Sequence, residues 1–194
     1  LRAESGFDLE QHYGLLMSFL VMIAPGMVGM VSGFLLLDER DDQVLAALQA
    51  TPISLGAYLS YRVSAPLVLG VAATLAAYPM AGLAPVRFAD LTVVAFLSSF
   101  SGPITALFLA GFADNKVSGL ALVKVFNSLN MLPVIAYFLS MPWQLIAGVV
   151  PAYWPMKALW LAAAGRGYLH FAAAGCAINL LALLLLVRRL ERKL

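Results

Sequence analysis

Five stretches of this chain stay apolar for about twenty residues, and this restricts the fold more than any other feature. A bilayer core about 30 Å thick is crossed by roughly 20 apolar residues in a helix. The stretches run from about Tyr13 to Leu37, Ala57 to Leu83, Leu91 to Phe112, Val117 to Leu139 and His170 to Val187. The first contains no charge. Arg62 sits near the start of the second, and Lys124 lies one to two turns into the fourth. Composition agrees: 62% of residues are hydrophobic and 11% charged, where a soluble domain carries about 25% charged residues. The sequence therefore predicts an all-α, polytopic membrane helical bundle with five spans, in a single domain over residues 1–194.

Residues 140–169 are apolar but interrupted by Pro142, Pro151 and Pro155. They read as an interfacial or re-entrant segment, not a span. Lys and Arg concentrate on the cytoplasmic side of membrane proteins. With the C-terminal "RRLERKL" inside, Arg40, Arg62, Lys116, Lys124, Arg188, Arg189, Arg192 and Lys193 fall inside, and Arg2, Arg87, Lys157 and Arg166 outside. Trp143, Tyr153, Trp154 and Trp160 then form an outer aromatic group suited to the headgroup layer. This places the N-terminus outside. Residues 1–12 do not read as a signal peptide, so the expectation is a cytoplasmic start and one further membrane helix upstream of Leu1.

The loop over residues 38–56, "DERDDQVLAALQATPISLG", is expected on the cytoplasmic side. Asp38, Glu39, Asp41 and Asp42 crowd the start of a short helix, where the macrodipole favours negative charge. Val44, Leu45 and Leu48 share one side of that helix, and Asp42, Gln43 and Gln49 lie away from it. Pro52 ends it, since the residue before a proline disfavours the α region. Charge alone would suit a solvated loop. The apolar side favours a helix that docks against something.

Inside the spans, Gly29 and Gly33 are four residues apart in "APGMVGMVSG", beside Pro25. Small residues on one face let helices approach closely, either as ordinary packing or at a moving interface. Lys124, Asn127, Ser128 and Met131 share a helix face, with Asn130 nearby. Ser98, Ser99, Ser101 and Thr105 surround Gly102-Pro103, and Asn179 lies in the last span. Polar groups at membrane depth usually face the bundle interior or a cavity. Gly29, Gly33, Asn127, Asn130 and Met131 are the candidates for a substrate path or dimer seam. For the Ser/Thr group, interhelical hydrogen bonding is the favoured reading.

Several function classes fit poorly. A net charge of +2 gives no footprint for nucleic acid. His12 and His170 stand at span ends far apart in sequence, and no His-Glu-x-x-His motif occurs, so an intramembrane enzyme is disfavoured. The single cysteine, Cys176, has no partner for an internal disulfide. No charge at mid-span suggests the ion coupling of a secondary transporter. A non-transporting assembly or scaffold protein stays open.

The stretch "GFLLLDERDDQVLAALQATPISLGAYLSYRV", Gly33 to Val63, resembles the signature region of ABC-2 type permeases, the membrane subunits of ATP-binding-cassette exporters. Glu39, Arg40, Leu45, Leu48, Thr51, Pro52, Ser54, Tyr58 and Arg62 carry the likeness. "FADNKVSGLALVKVFNSLNMLP" and "VPAYWPMKALW" resemble the family's second cytoplasmic turn with its fifth span and its outer Pro/Trp segment. The resemblance implies six spans in the full-length fold, with the first lacking in this numbering. It also implies a coupling helix that docks on a separate nucleotide-binding ATPase subunit, through Glu39, Arg40, Asp41, Asp42, Val44, Leu45, Leu48 and Pro52. It further implies pairing with a second permease, a homo- or heterodimer, in a prokaryotic cell membrane with the C-terminus in the cytoplasm. The chain has no Gly-x-x-x-x-Gly-Lys-Ser/Thr run. No cofactor is expected on it, and ATP and magnesium are expected on the ATPase. The cargo implied is hydrophobic or amphiphilic: a drug, a lipid-linked compound or a peptide.

Overall fold

The computed structural model describes residues 12–44 and 51–192. Eight α-helices account for most of them: α1 (Tyr13–Asp41), α2 (Leu55–Ala81), α3 (Phe88–Ser99), α4 (Ser101–Phe112), α5 (Lys116–Leu129), α6 (Leu132–Tyr137), α7 (Tyr153–Ala163) and α8 (Leu169–Glu191). A 3-10 helix spans Trp143–Val149. No strand occurs among the described residues. Five helical units are long and apolar enough to cross a membrane: α1, α2, α3 with α4, α5 with α6, and α8. The chain is an all-α, multi-pass membrane protein, as the apolar runs predict.

The α3–α4 unit is the centre of the bundle. Of its most apolar window 83% is buried within the chain, against 22–33% for the other four spans. It is broken at Phe100 because Pro103 has no N–H to offer the carbonyl of Ser99 four residues back. Hydroxyls stitch this polar stretch to its own backbone. Ser98 Oγ donates to Ala95 O at 3.1 Å, Ser99 Oγ to Phe96 O at 2.6 Å and Thr105 Oγ1 to Ser101 O at 2.7 Å. Asn179 Nδ2 donates to Gly175 O at 2.8 Å in α8. The Ser/Thr bonds run to carbonyls three or four residues back in the same helix, not between helices.

Three helices meet at Gly102. A Cβ on Gly29 of α1 would sit 2.8 Å from Gly102 Cα and closer still to its carbonyl oxygen. A Cβ on Gly102 would lie 3.0 Å from the carbonyl oxygen of Pro66 in α2 and 3.4 Å from that of Pro25 in α1. On Gly70 of α2 it would meet Pro25 Cβ at 2.9 Å and Ser99 Cβ at 3.2 Å. Further along α1, a Cβ on Gly33 would meet Leu109 Cδ1 at 2.7 Å. Gly29 and Gly33 therefore form the internal seam of α1 against α4, and that face is filled by this chain's own backbone.

The other ends of the bundle differ from the sequence expectation in three places. The fourth span breaks at Asn130, where Pro133 has no N–H for the carbonyl of Leu129 and the Met131 amide tightens onto Ser128 O at 3.1 Å. Tyr153 and Trp154 are buried instead of facing headgroups. α7 tucks them against α3 and α8, and Trp154 Nε1 donates to Gly148 O at 2.9 Å beside the small Gly175. Only Trp143 of the expected outer group is strongly exposed. On the same side, Tyr168 Oη donates to Asp90 Oδ1 at 2.7 Å. Burial, with help from that carboxylate, pushes the phenol up to about 12, so this link stays protonated throughout the neutral range. Burial, with help from the Arg166 charge, pulls the Lys157 ammonium down; it donates to Gln144 Oε1.

The third difference concerns the acidic cluster. Asp38, Glu39 and Asp41 stand in the last turn of α1, not at the start of a following helix. Nothing in "LLLDERD" breaks a helix, so α1 runs on past the apolar stretch. It stops where Gln43 takes a left-handed conformation, φ 54, with its amide on Arg40 O at 3.1 Å. Leu45 and Leu48 lie outside the described residues.

The seam at Gly102 gives a direct test. Gly29→Ala is expected to destabilise the protein by about 1–3 kcal/mol, because backbone must move to admit one methyl. Gly26→Ala, with nothing within 4 Å of its Cβ position, should leave the melting temperature unchanged or slightly higher. Thermal melts of the two purified variants in one detergent check the contrast.

Candidate functional site

Acid at the C-terminal end of a helix opposes the macrodipole, so the last turn of α1 needs cations. It finds them on two other helices. Glu39 forms an ion pair with Arg62 of α2, and its Oε2 accepts from Tyr58 Oη at 2.6 Å. The Arg62 guanidinium also lies over the Tyr58 ring, 5.3 Å from its centroid, an arrangement that adds cation–π attraction. Asp38 pairs with Lys116 at the start of α5 at 2.5 Å. Both groups are exposed enough for water to screen the pair heavily.

Arg40 reaches further. Its Nη1 donates to Ala113 O at 2.9 Å and its Nη2 to Asp114 O at 2.7 Å. These carbonyls belong to the turn between α4 and α5, where no helical amide can satisfy them. Asn115 caps α5 in a reciprocal box with Ser118, Oδ1 to the Ser118 amide at 2.9 Å. Arg189 of α8 closes the far side, with its guanidinium 3.9 Å from the Phe112 ring centroid and Nε 3.4 Å from Gly111 O. The ends of α1, α2, α4, α5 and α8 are thus joined into one charged cap.

The coupling-segment candidates divide accordingly. Glu39 and Arg40 are engaged within the chain. Asp41, Asp42 and Pro52 are exposed, and Val44 is half-buried. Ser54 caps α2, accepting from the Ala57 amide at 3.2 Å. The sequence pattern marks Tyr58 and Arg62 as part of the resemblance, but their partnership with Glu39 appears only in three dimensions.

A second feature lies deeper, between α1, α4, α5 and α7. A cavity of about 230 Å³ is lined by Phe19, Met22, Ile23, Gly26, Met27 and Met30 of α1, Ser101 and Thr105 of α4, and Val123 and Asn127 of α5. Asn130 and Met131 from the break after α5, and Met156 of α7, complete it. The structure brings together three predicted residues, Asn127, Asn130 and Met131. Gly29 and Gly33 are on the neighbouring packed face of α1 instead. Lys124 and Ser128 are exposed beside the cavity, and the Ser128 hydroxyl donates to Lys124 O at 2.9 Å.

Apart from Met131, the methionines are what the sequence reading missed. Five of the eight in the chain line this cavity. A periodicity was present, since Phe19, Met22, Ile23, Gly26, Met27 and Met30 recur at three- and four-residue spacing on one helix face. Thioethers are polarizable and adapt to flat aromatic faces. Ser101 Oγ is buried with no hydrogen-bond partner among the described residues, and Asn127 is exposed on the lining helix. The chemistry offered is an apolar, adaptable wall with a few hydroxyl and amide groups.

A family model for "Fluoroquinolones export permease protein Rv2686c-like" matches residues 1–187 of this chain. The chain belongs to this export permease family. Two curated relatives, "Fluoroquinolones export permease protein Rv2686c" from Mycobacterium tuberculosis (strain ATCC 25618 / H37Rv) and "Fluoroquinolones export permease protein MT2760" from Mycobacterium tuberculosis (strain CDC 1551 / Oshkosh), are each 31% identical over 191 residues. The match covers 97% of this chain and 76% of each relative. No solved structure matches. Membership makes this chain a transporter component of the export permease type, and its helices agree with that class.

The cap carries its own prediction. Glu39→Gln removes a charge from a partly buried pair and leaves Arg62 uncompensated, at an expected cost of about 3 kcal/mol. Tyr58→Phe removes one hydrogen bond to the same carboxylate, at about 1–2 kcal/mol. Denaturant or thermal unfolding of both variants should show that order.

Proposed function

We propose that this chain is the membrane permease of an ATP-driven exporter of the ABC-2 type, and that its cargo is a flat amphiphilic drug such as a fluoroquinolone. The observation that carries the reading is the continuity between cap and cavity. α1, α4 and α5 line the cavity with Met22 to Met30, Ser101 and Thr105, and Asn127. The same three helices are joined at the cap by Arg40 and by the Lys116–Asp38 pair. A push on the segment after Asp42 is transmitted through Arg40 to the turn between α4 and α5, and so to two walls of the cavity at once.

In this reading residues 38–56 form the coupling segment, on the cytoplasmic side with the C-terminus. Val44, Leu45 and Leu48 fill an apolar groove on a separate nucleotide-binding subunit, with Asp41, Asp42 and Pro52 at its edge. Glu39 and Arg40 act from within, tying the segment to α2 and to the α4–α5 turn. The ATPase subunit holds ATP and magnesium.

The fluoroquinolone assignment comes from the names of the relatives. It suits the cavity chemically. A planar heteroaromatic ring matches methionine walls, and its keto and carboxylate oxygens match the amides of Asn127 and Asn130 and the hydroxyl of Ser101. The volume of about 230 Å³ is below the roughly 300–1,000 Å³ of drug sites. The exposed Asn127 and the apolar Leu120, Val125 and Leu129 on α5 supply a face for a second permease copy, which would complete the chamber. Burying that amide against a partner avoids leaving it to lipid.

Efflux from cells expressing the permease with its ATPase tests both halves. Asn127→Leu with Asn130→Leu is expected to cut fluoroquinolone efflux about tenfold or more, with ATPase association intact. Leu45→Asp or Leu48→Asp is expected to release the ATPase subunit on co-purification. Wild-type efflux in the first pair would remove the cavity from the transport path. Unchanged co-purification in the second would remove the coupling role.

A further inference from the structure

A second and larger hollow, of about 570 Å³, opens at the cap end of the bundle between α8 and the turn after α4. Its walls include Arg188, Arg189, Arg192, Leu185 and Phe112, with Asp114 at one side. The three arginines and Leu185 recur at three- and four-residue spacing and occupy one face of α8, with Glu191 turned away from it and Leu190 buried opposite. Arg189 is committed to Gly111 O and the Phe112 ring. Arg188 and Arg192 are exposed, and three cations against one carboxylate leave the hollow positive.

Below the arginines the same helix turns apolar. Leu181, Leu184 and Leu185 are 55–58% exposed and continue toward the middle of the span. The hollow thus offers charge at the membrane surface and, directly beneath it, a greasy strip. Guanidinium groups match phosphate oxygens in bidentate fashion, and Arg clusters just outside a spanning helix attract acidic headgroups. We propose that this hollow binds an anionic phospholipid, with its headgroup phosphate between Arg188 and Arg192 and its acyl chains along Leu181, Leu184 and Leu185. The assignment needs only that α8 crosses a bilayer, and is independent of the cargo.

The test uses the full chain purified in a neutral detergent. Phosphatidylglycerol, phosphatidylcholine and inorganic phosphate are added separately, and retention is read by native mass spectrometry and by the thermal midpoint. Phosphatidylglycerol is expected to be retained and to raise the midpoint, and phosphatidylcholine is not. Arg188→Gln with Arg192→Gln should weaken phosphatidylglycerol binding roughly twentyfold or more, and Arg188→Gln alone about fivefold. Arg87→Gln with Arg166→Gln, at the far end of the bundle, should leave it unchanged. The single variant keeps the test decisive if the double one does not fold. Undiminished phosphatidylglycerol binding in the arginine variants overturns the proposal. So does inorganic phosphate that stabilises the protein as well as the lipid does, since that outcome describes a free-anion site.

Discussion

The bundle depends on one close approach, the crossing of α1, α2 and α4 at Gly102. Carbonyls of Pro25 and Pro66 come within 3.0–3.4 Å of the space a Gly102 side chain would fill. Without a hydrophobic driving force between helices in lipid, such contact is what holds them together. The next residue, Pro103, breaks the central span there. Crossing and break together bury the polar stretch from Ser98 to Thr105. They also leave Ser101 at the edge of the methionine-lined cavity with its hydroxyl unbonded among the described residues.

The charged cap solves a different problem. α1 overruns its apolar stretch and ends in acid, which its own dipole disfavours. Three of the charged residues there are matched to different neighbours: Glu39 to α2, Asp38 to α5, Arg40 to the turn between α4 and α5. The mismatch at a single helix end is thus converted into a set of ties across the bundle. Three of the helices so tied, α1, α4 and α5, also line the cavity.

Much of the architecture was legible in the sequence because hydropathy over twenty residues is a strong signal and lipid permits few alternatives. Span positions agree to within a few residues. What sits on which face was less legible. Gly29 and Gly33 carry the same spacing whether they contact their own chain or another, and only the neighbouring Gly102 decides it. Tyr153 and Trp154 have the composition of an interfacial belt, but α7 folds them inward against Gly175. Asn127, Asn130 and Met131 were found because polar residues stand out against lipid. The methionines of α1 were not, since an apolar residue in an apolar span carries no contrast. Of the coupling segment, Leu45 and Leu48 lie outside the described residues, and the inward roles of Glu39 and Arg40 required knowing where Arg62 and the turn at Ala113 lie.

Arg40 binds main-chain oxygens, those of Ala113 and Asp114, and no side chain there is needed for the bond. Substitution of the Ala113 or Asp114 side chain therefore leaves this fastening intact. The only side chain the two bonds require is that of Arg40. Lysine could not take its place, because a single ammonium lacks the planar fork that reaches two adjacent carbonyls at once. The turn is thus held by its main chain, and a change of side chain at Ala113 or Asp114 leaves the two hydrogen bonds in place.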